Sequence, residues 1–166
     1  MLEGIEVRTG VNYYLDKEYY NSIADKIVFT GKIDEFFNYQ FGELEYRTLS
    51  FVNERLDVDD YQGCAQVNYG DENVPYTRIT EHKHFEKNDS KVTWISKEYS
   101  MKYKRGDIPY YPINDEKNNK VFSQYKELSN QYPNIIFGGR LSEYKYYDMH
   151  QIIGSALTKV KKELNK

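Results

Sequence analysis

Hydrophobic and polar positions alternate along the middle of the chain, from Leu44 onward. In LEYRTLSFVNERL, positions 44, 46, 48 and 50 fall on one face and the residues between them on the other. The segments CAQVNYG, TRITEHKHF and KVTWISKEY follow, separated by the turn-rich stretches GDENVP and EKNDS. A period of two is typical of half-buried strands, so the pattern predicts four strands in an antiparallel meander.

Helical spacing replaces this alternation toward the C-terminus. Apolar side chains recur at helical intervals within residues 115–131, and Pro133 follows, which predicts a helix. A second amphipathic helix is predicted after Asp148, with Asp148 as its N-cap and lysines in its last turns. Residues 4–14 are expected to form a short strand and a turn, and IDEFFNYQFG a short helix or irregular segment stopped by Gly42.

Two short apolar runs, KIVFTG and NIIFGGR, end in glycine and are expected to be fully buried strands. Strands of this kind usually belong to a parallel sheet that helices cover on both faces. The chain has too few strand–helix units to build such a sheet, so partner strands are expected to be missing. The predicted fold class is α+β, with an antiparallel sheet of about five or six strands and helices beside it.

Composition and charge narrow the function classes. The chain has 166 residues, with 23 Lys+Arg against 26 Asp+Glu, so nucleic acid is not expected as a partner. No apolar run is long enough to span a membrane, and the N-terminus lacks the apolar region of a signal peptide. The single cysteine, Cys64, excludes an internal disulfide framework and is expected to be a small buried residue. A cytoplasmic protein without a membrane partner is therefore predicted.

Tyrosine is unusually frequent, with 18 residues against 8 phenylalanines. Each tyrosine brings a ring that packs and a hydroxyl that needs a hydrogen-bond partner. This number of hydroxyls suggests a surface that binds a polar ligand. The alternative is a set of amphipathic strands, because tyrosine also favours strands.

Two of the candidate segments lie in or near the predicted sheet. In NVPYTRITEHKHF, Arg78 is either a ligand contact or the partner of a surface ion pair with Glu81. The HKH sequence at 82–84 puts two histidines on one strand face, but no further ligand cluster completes a metal site, so no metal is expected. In GDIPYYPIND, two prolines hold the loop extended, and Tyr110 and Tyr111 are presented to an anion or are simply packed.

The third segment, GGRLSEYKYYDMHQ, is the most informative. A predicted strand ends in Gly138 and Gly139, which lets a ligand approach the backbone closely. Arg140 follows, and then a tyrosine pair precedes the helix that Asp148 caps. The N–H groups at a helix start favour negative charge, so the segment suggests a cradle for an anion or cofactor.

Four segments resemble the UDP-galactopyranose mutases: KIVFTGKIDEFFNYQFGELEYRTLSF, NVPYTRITEHKHF, GDIPYYPINDEKN and IIFGGRLSEYKYYDMHQ. The resemblance runs in order from about Leu2 to Leu164. It implies an isomerase that uses reduced FAD to interconvert UDP-galactopyranose and UDP-galactofuranose through an adduct between flavin N5 and the sugar. The furanose product feeds bacterial surface glycans.

The family's chain is longer and begins with a dinucleotide-binding G-x-G-x-x-G element, which this sequence lacks. A C-terminal portion of such an enzyme is therefore expected, inactive alone and without bound FAD. Residues 1–43 would include a flavin-domain strand, and 44–112 would form the substrate-domain sheet. Residues 113–166 would supply a helix, a strand and the C-terminal helix on the flavin side.

The resemblance also implies roles for individual residues around UDP-galactose. Arg78 and the hydroxyls of Tyr111 and Tyr146 would hold the UDP diphosphate, and Asn68 would line the substrate site. Arg47 and Glu98 match two further polar residues of the active-site set.

Four residues are implied on the flavin side. Arg140 would lie beside the flavin ring and Asp148 would be the active-site aspartate, so these two are the catalytic candidates. The backbone at Gly139 and Met149 would meet the cofactor, as would Arg140 and Asp148. Asp148 is either a helix cap, which we favour, or a catalytic acid or base.

Two alternatives to a mutase stay open on sequence grounds. The tyrosines and Arg78 could serve a non-catalytic module that binds the diphosphate of a nucleotide sugar without flavin. The chain could also be a structural β-rich domain. Independently of the function, a buried strand without neighbours favours association, so a homodimer is expected as a partner state.

Overall fold

The computed structural model describes residues 2–86 and 88–165. The strands are β1 (Ile27–Phe29), β2 (Tyr46–Leu56), β3 (Gln66–Asn68), β4 (Arg78–Glu81), β5 (Thr93–Lys102), β6 (Tyr111–Pro112) and β7 (Ile135–Phe137). The α-helices are α1 (Lys17–Ser22), α2 (Ile33–Phe36), α3 (Glu116–Ser129), α4 (Gly139–Ser142) and α5 (Met149–Leu164). None of these described helices is long and apolar enough to cross a membrane.

The chain forms two compact units, Met1–Gly42 with Lys120–Lys166, and Glu43–Asn119. The second unit contains an antiparallel sheet with the strand order β3-β4-β5-β2-β6. Its core includes Leu44, Tyr46, Ile79 and Ile95, each at most 2% exposed. The α+β class and the antiparallel sheet predicted from the sequence are thus confirmed.

The strand order differs from the predicted simple meander. Strands β3, β4 and β5 do follow one another, but β2 pairs with β5 rather than with β3. The pairing of β2 with β5 runs from Arg47 opposite Lys102 to Leu56 opposite Thr93. Strand β5 is nearly as long as β2, whereas β3 has three residues. Pairing the two long strands therefore satisfies far more backbone hydrogen bonds than pairing neighbours in sequence.

Two local predictions within this unit are wrong. Strand β4 ends at Glu81, and His82–His84 form a 3-10 helix instead of continuing the strand. The buried Glu81 carboxylate accepts hydrogen bonds from the backbone N–H groups of Tyr61 and Gln62, so a nearby loop packs where the strand would continue. Cys64 follows in that loop and is exposed, not buried.

The other unit holds a two-stranded parallel sheet in which Ile27, Val28 and Phe29 lie opposite Ile135, Ile136 and Phe137. Both strands and their ends at glycine follow the sequence prediction. Their burial does not, because Val28 is 65% exposed. Parallel sheets are normally covered on both faces, so within the described residues this pair has a sheet face without cover.

Aromatic packing holds this unit together. The Phe36 ring lies 4.9 Å from both the Phe29 and the Phe137 rings, in edge-to-face contact. Phe37 stacks on Tyr125 of α3 at 6.0 Å. Such pairs contribute beyond their buried area. Tyr125 and Tyr144 are at most 2% exposed in this unit, so some of the tyrosines that stand out in the composition serve its core.

The strand predicted within residues 4–14, all of which the structure describes, does not form, whereas the two predicted C-terminal helices do. Gly4 and Gly10 adopt positive φ angles of 78° and 69°, which interrupt an extended backbone. Helix α2 ends at Phe36, because Asn38 and Tyr39 also adopt positive φ. Helices α3 and α5 form where helical spacing predicts them, and Asp148 caps α5 as expected.

The Tyr125 hydroxyl fixes the turn after α2. It accepts a hydrogen bond from the Phe41 N–H at 3.0 Å and donates one to the Gly42 carbonyl at 2.7 Å, and the side chain is fully buried. We expect Tyr125→Phe to lower the free energy of unfolding by about 1–3 kcal/mol, since two backbone groups lose the partner that a buried hydroxyl supplies. Urea denaturation measures this, with Tyr132→Phe, which is 41% exposed, as the matched control. Equal stability of the two variants would contradict the assignment.

Candidate functional site

Sheet register brings the predicted substrate residues of the unit Glu43–Asn119 onto one face. Asn68 lies directly opposite Arg78, and Arg78 lies opposite Glu98. Directly opposed residues share a face, so these three form one row across β3, β4 and β5. Sequence alone does not place them together, because their separations along the chain say nothing about register.

A second row lies on the same face. Arg47 of β2 is opposite Tyr111 of β6 on one side and Lys102 of β5 on the other. Glu98 is opposite Phe51, which is four residues from Arg47 and therefore faces the same way. Four residues of strand correspond to about 13 Å between the rows. Strand β6 is held there by the Tyr110 N–H, which donates to the Arg47 carbonyl at 3.0 Å.

The guanidinium of Arg78 is held by neighbours in its row. Its Nε donates to Asn68 Oδ1 at 2.8 Å, and its Nη1 lies 3.7 Å from Glu98 Oε2. The ion pair with Glu81 considered on sequence grounds does not form. Glu81 is three positions along the same strand, on the opposite face, and is fully buried.

Two residues that the sequence analysis missed belong to this face or its edge. Thr77 donates its hydroxyl to Glu98 Oε1 at 3.0 Å and its N–H to the Glu98 carbonyl at 2.8 Å. Lys102 adds a positive charge opposite Arg47. Thr77 precedes Arg78 in PYTR, but only strand pairing reveals that it contacts Glu98.

The remaining predicted site residues belong to the other unit, where two groups lie at helix starts. Gly139 and Arg140 begin α4, directly after β7. Gly139 has a φ of +83°, and a Cβ there would lie 3.3 Å from Thr30 Cβ, so the position requires glycine. Tyr146 and Met149 lie beside the start of α5, with 58% and 84% of their surface exposed.

Asp148 forms a capping box with Gln151. The Asp148 carboxylate accepts the Gln151 N–H, and the Asp148 N–H donates to Gln151 Oε1 at 2.9 Å. This arrangement satisfies donors at the helix start that would otherwise lack partners. The cap predicted for Asp148 is confirmed by this geometry.

Glu143 fixes α4 against α5. Lys159 Nζ lies 2.7 Å from its carboxylate, and the Ser155 hydroxyl donates to both carboxylate oxygens at 3.0 and 3.1 Å. Burial alone would raise the Glu143 pKa, but hydrogen bonds from Lys159, Tyr147 and Ser155 outweigh it and the pKa is lowered. Burial raises the pKa of Tyr147, and its hydrogen bond to Glu143 adds to this. The contact between Tyr147 and Glu143 thus fixes the loop that carries the adjacent Tyr146.

Comparison with known proteins identifies a family and several relatives of this chain. The sequence profile of the family described as UDP-galactopyranose mutase matches residues 1–146. The chain is 43% identical over 132 residues to a dTDP-fucopyranose mutase of Escherichia coli, covering 79% of this chain and 35% of that protein. It is 40% identical over 164 residues to a "Probable UDP-galactopyranose mutase" of Klebsiella pneumoniae, covering 95% and 42%.

A third relative is the UDP-galactopyranose mutase of Mycoplasma pneumoniae, 36% identical over 148 residues that cover 86% of this chain and 37% of that protein. The chain therefore spans 35–42% of the length of these curated relatives. The family profile covers most of the chain, so the chain belongs to the UDP-galactopyranose mutase family.

Proposed function

We propose that this chain supplies the diphosphate-binding face and part of the flavin side of a UDP-galactopyranose mutase, an isomerase that interconverts UDP-galactopyranose and UDP-galactofuranose. One observation carries the proposal: the sheet register aligns Arg47, Arg78 and Tyr111 on one face. The relatives' names favour this function over a non-catalytic binding module.

The chemistry of the face suits a leaving diphosphate. When the bond between sugar and UDP breaks, negative charge on the diphosphate increases. Arginine donors directed at that charge stabilise the separation more than they stabilise the bound substrate. A tyrosine hydroxyl such as that of Tyr111 is neutral, so it adds a donor without holding UDP as tightly as a third arginine would. Tyr146 is proposed as a second such donor.

FAD is the cofactor proposed for the unit that holds β7 and α5. The residues at the end of β7 fit such a group, because the left-handed Gly139 exposes backbone and Arg140 adds a positive charge beside it. The start of α5 carries partial positive charge that favours an anionic flavin. When bound, reduced flavin would supply the nucleophile for the sugar's anomeric carbon. Arg140 would stabilise charge beside the ring, Asp148 would keep α5 in place, and the Met149 backbone would contact the ring.

The chain does not carry this activity by itself under the proposal. It lacks a G-x-G-x-x-G element and spans less than half of its relatives' length. The parallel pair β1 and β7 leaves Val28 exposed, as expected for a sheet that further strands and helices complete. We propose that these elements come from outside the chain and provide most of the flavin contacts.

A second substrate is favoured by one specific comparison. The Escherichia coli relative, at 43% identity, is named dTDP-fucopyranose mutase. A dTDP-sugar shares the diphosphate and differs in the base and the sugar. Residues that contact only the diphosphate, as proposed for Arg78 and Tyr111, would serve both substrates equally. The choice between them would then be made by residues that contact the base and the sugar.

Turnover by the natural full-length protein tests the proposed function. After reduction with dithionite, we expect it to convert UDP-galactofuranose to UDP-galactopyranose, monitored by chromatography. Exclusive conversion of dTDP-fucofuranose would favour the second substrate, and no conversion of either would contradict a mutase. The isolated 166-residue chain is expected to be colourless and inactive. Stoichiometric flavin absorbance in that chain would contradict the need for further elements.

A further inference from the structure

The Glu98 carboxylate is held at both oxygens by protein groups. Oε1 accepts the Thr77 hydroxyl at 3.0 Å, and Oε2 lies 3.7 Å from Arg78 Nη1. Its side chain is 13% exposed, against 34% for Arg78. The Thr77 N–H also donates to the Glu98 carbonyl, which fixes the backbone of the same residue. Glu98 is therefore anchored from two sides before any ligand arrives.

Asn68 completes the arrangement from the other side of Arg78. It accepts the Nε proton at 2.8 Å, so Asn68 and Glu98 flank the guanidinium along one cross-strand row. At 3.7 Å the contact with Glu98 is an ion pair rather than a hydrogen bond, so it orients the group while leaving its donors available. Among the described residues, Asn68 and Glu98 engage Nε and the Nη1 side, which leaves the Nη2 donors for a ligand.

We propose that Glu98 is a positioning residue for Arg78 and does not itself contact the substrate. This inference rests on the proposed function, since it assumes that Arg78 binds the diphosphate. It reassigns Glu98, which the family resemblance places only in the substrate-binding set. Guanidinium recognition of phosphate depends on a planar, correctly turned fork, so holding that fork in advance removes ordering cost from binding.

A double-mutant cycle on UDP affinity separates positioning from direct contact. In the natural full-length protein, calorimetry should show that Glu98→Ala weakens UDP binding about tenfold in the presence of Arg78, a coupling typical of residues in one network. In an Arg78→Ala background the same substitution should have no further effect. Independent, additive losses would overturn the proposal, as would an unchanged affinity in Glu98→Ala alone.

Matched variants exclude a general structural effect. Glu98→Gln keeps an acceptor for the Thr77 hydroxyl, so it should recover part of the lost affinity. Glu54→Ala removes a glutamate from the opposite face of the same sheet, where it pairs with Lys97 at 2.7 Å, and should leave UDP affinity unchanged. Equal weakening by Glu54→Ala and Glu98→Ala would mean that only sheet integrity is at issue, which contradicts positioning.

A ligand-free measurement distinguishes failure of this inference from failure of the proposed function. The Arg78 Nε–H resonance should exchange slowly with solvent in the unmodified protein, and faster in both Glu98→Ala and Asn68→Ala. If UDP does not bind the unmodified protein, the proposed function fails whatever the resonance shows. If UDP binds but the resonance is unaffected by Glu98→Ala, the positioning role fails while the function stands.

Discussion

On the proposed function, Arg78→Ala should lower kcat/KM of the natural full-length protein by about 10²–10³-fold, the loss typical of removing one donor that stabilises developing charge. Asn68 and Glu98 hold the Arg78 side chain in the orientation proposed for the diphosphate contact. Most of the loss should fall on kcat, because negative charge on the diphosphate peaks as the bond to the sugar breaks. Steady-state kinetics with UDP-galactofuranose measure both parameters.

Two further substitutions show whether guanidinium geometry or charge alone is needed. Arg78→Lys keeps the charge but loses the planar fork, so it should recover only a small part of the activity. Arg55→Ala is the matched control, because Arg55 lies on the same face of β2, is half exposed and pairs with Asp57 at 2.6 Å. Full activity in Arg78→Lys, or an equal loss in Arg55→Ala, would contradict a specific diphosphate contact.

Local pattern was sufficient to predict elements whose stability is largely local or whose apolar face is continuous. Helix α5 follows from its apolar spacing and from Asp148, whose capping box involves residues three apart. The two short strands β1 and β7 follow from apolar runs that end in glycine, but their pairing with each other is known only from the structure. The positions of these elements need no information about distant partners.

Strand order and register could not be derived in the same way. Alternation in β2 is compatible with pairing to β3 or to β5, and the choice depends on which partner offers a matching length. Register then decides that Arg47, Tyr111 and Lys102 form one row. The family resemblance implied most residues of this face, but the contacts of Thr77 and the position of Lys102 depend on geometry that no single segment contains.

Replacement of Glu81 should give the largest loss of stability in the sheet unit. Its side chain is fully buried, and its carboxylate accepts the Tyr61 N–H at 3.0 and 3.2 Å and the Gln62 N–H at 2.9 Å. His84 Nε2 lies 3.4 Å away. Glu81→Ala removes the buried acceptor of these donors, so the free energy of unfolding should fall by about 3–5 kcal/mol.

Chemical denaturation at neutral pH measures this loss, and two variants define its origin. Glu81→Gln keeps an acceptor oxygen and nearly the same volume, so it should be less destabilising than Glu81→Ala. Glu54→Ala removes a glutamate whose side chain is 37% exposed and paired with Lys97, and should change stability by less than about 1 kcal/mol. Equal effects of Glu81→Ala and Glu54→Ala would contradict a role for the buried hydrogen bonds.

The same carboxylate should make the stability of the unit depend on acid pH. Burial alone would raise the Glu81 pKa, but the nearby Thr93 hydroxyl and hydrogen bonds from the Gln62 and Tyr61 N–H groups outweigh it, and the pKa is lowered from 4.5. A pKa lowered by folding contributes stability that is present above the unfolded value and is lost as pH falls through the folded value. The stability difference between the unmodified protein and Glu81→Ala should therefore be constant above about pH 5 and should narrow as the pH falls below 4.5.

The nearby Asp60 also has a lowered pKa, because its carboxylate accepts the Gly63 N–H, but this contribution to the pH dependence remains in Glu81→Ala. Denaturation curves of both proteins across this range isolate the Glu81 contribution, and a difference that stays constant down to the acid limit would exclude it.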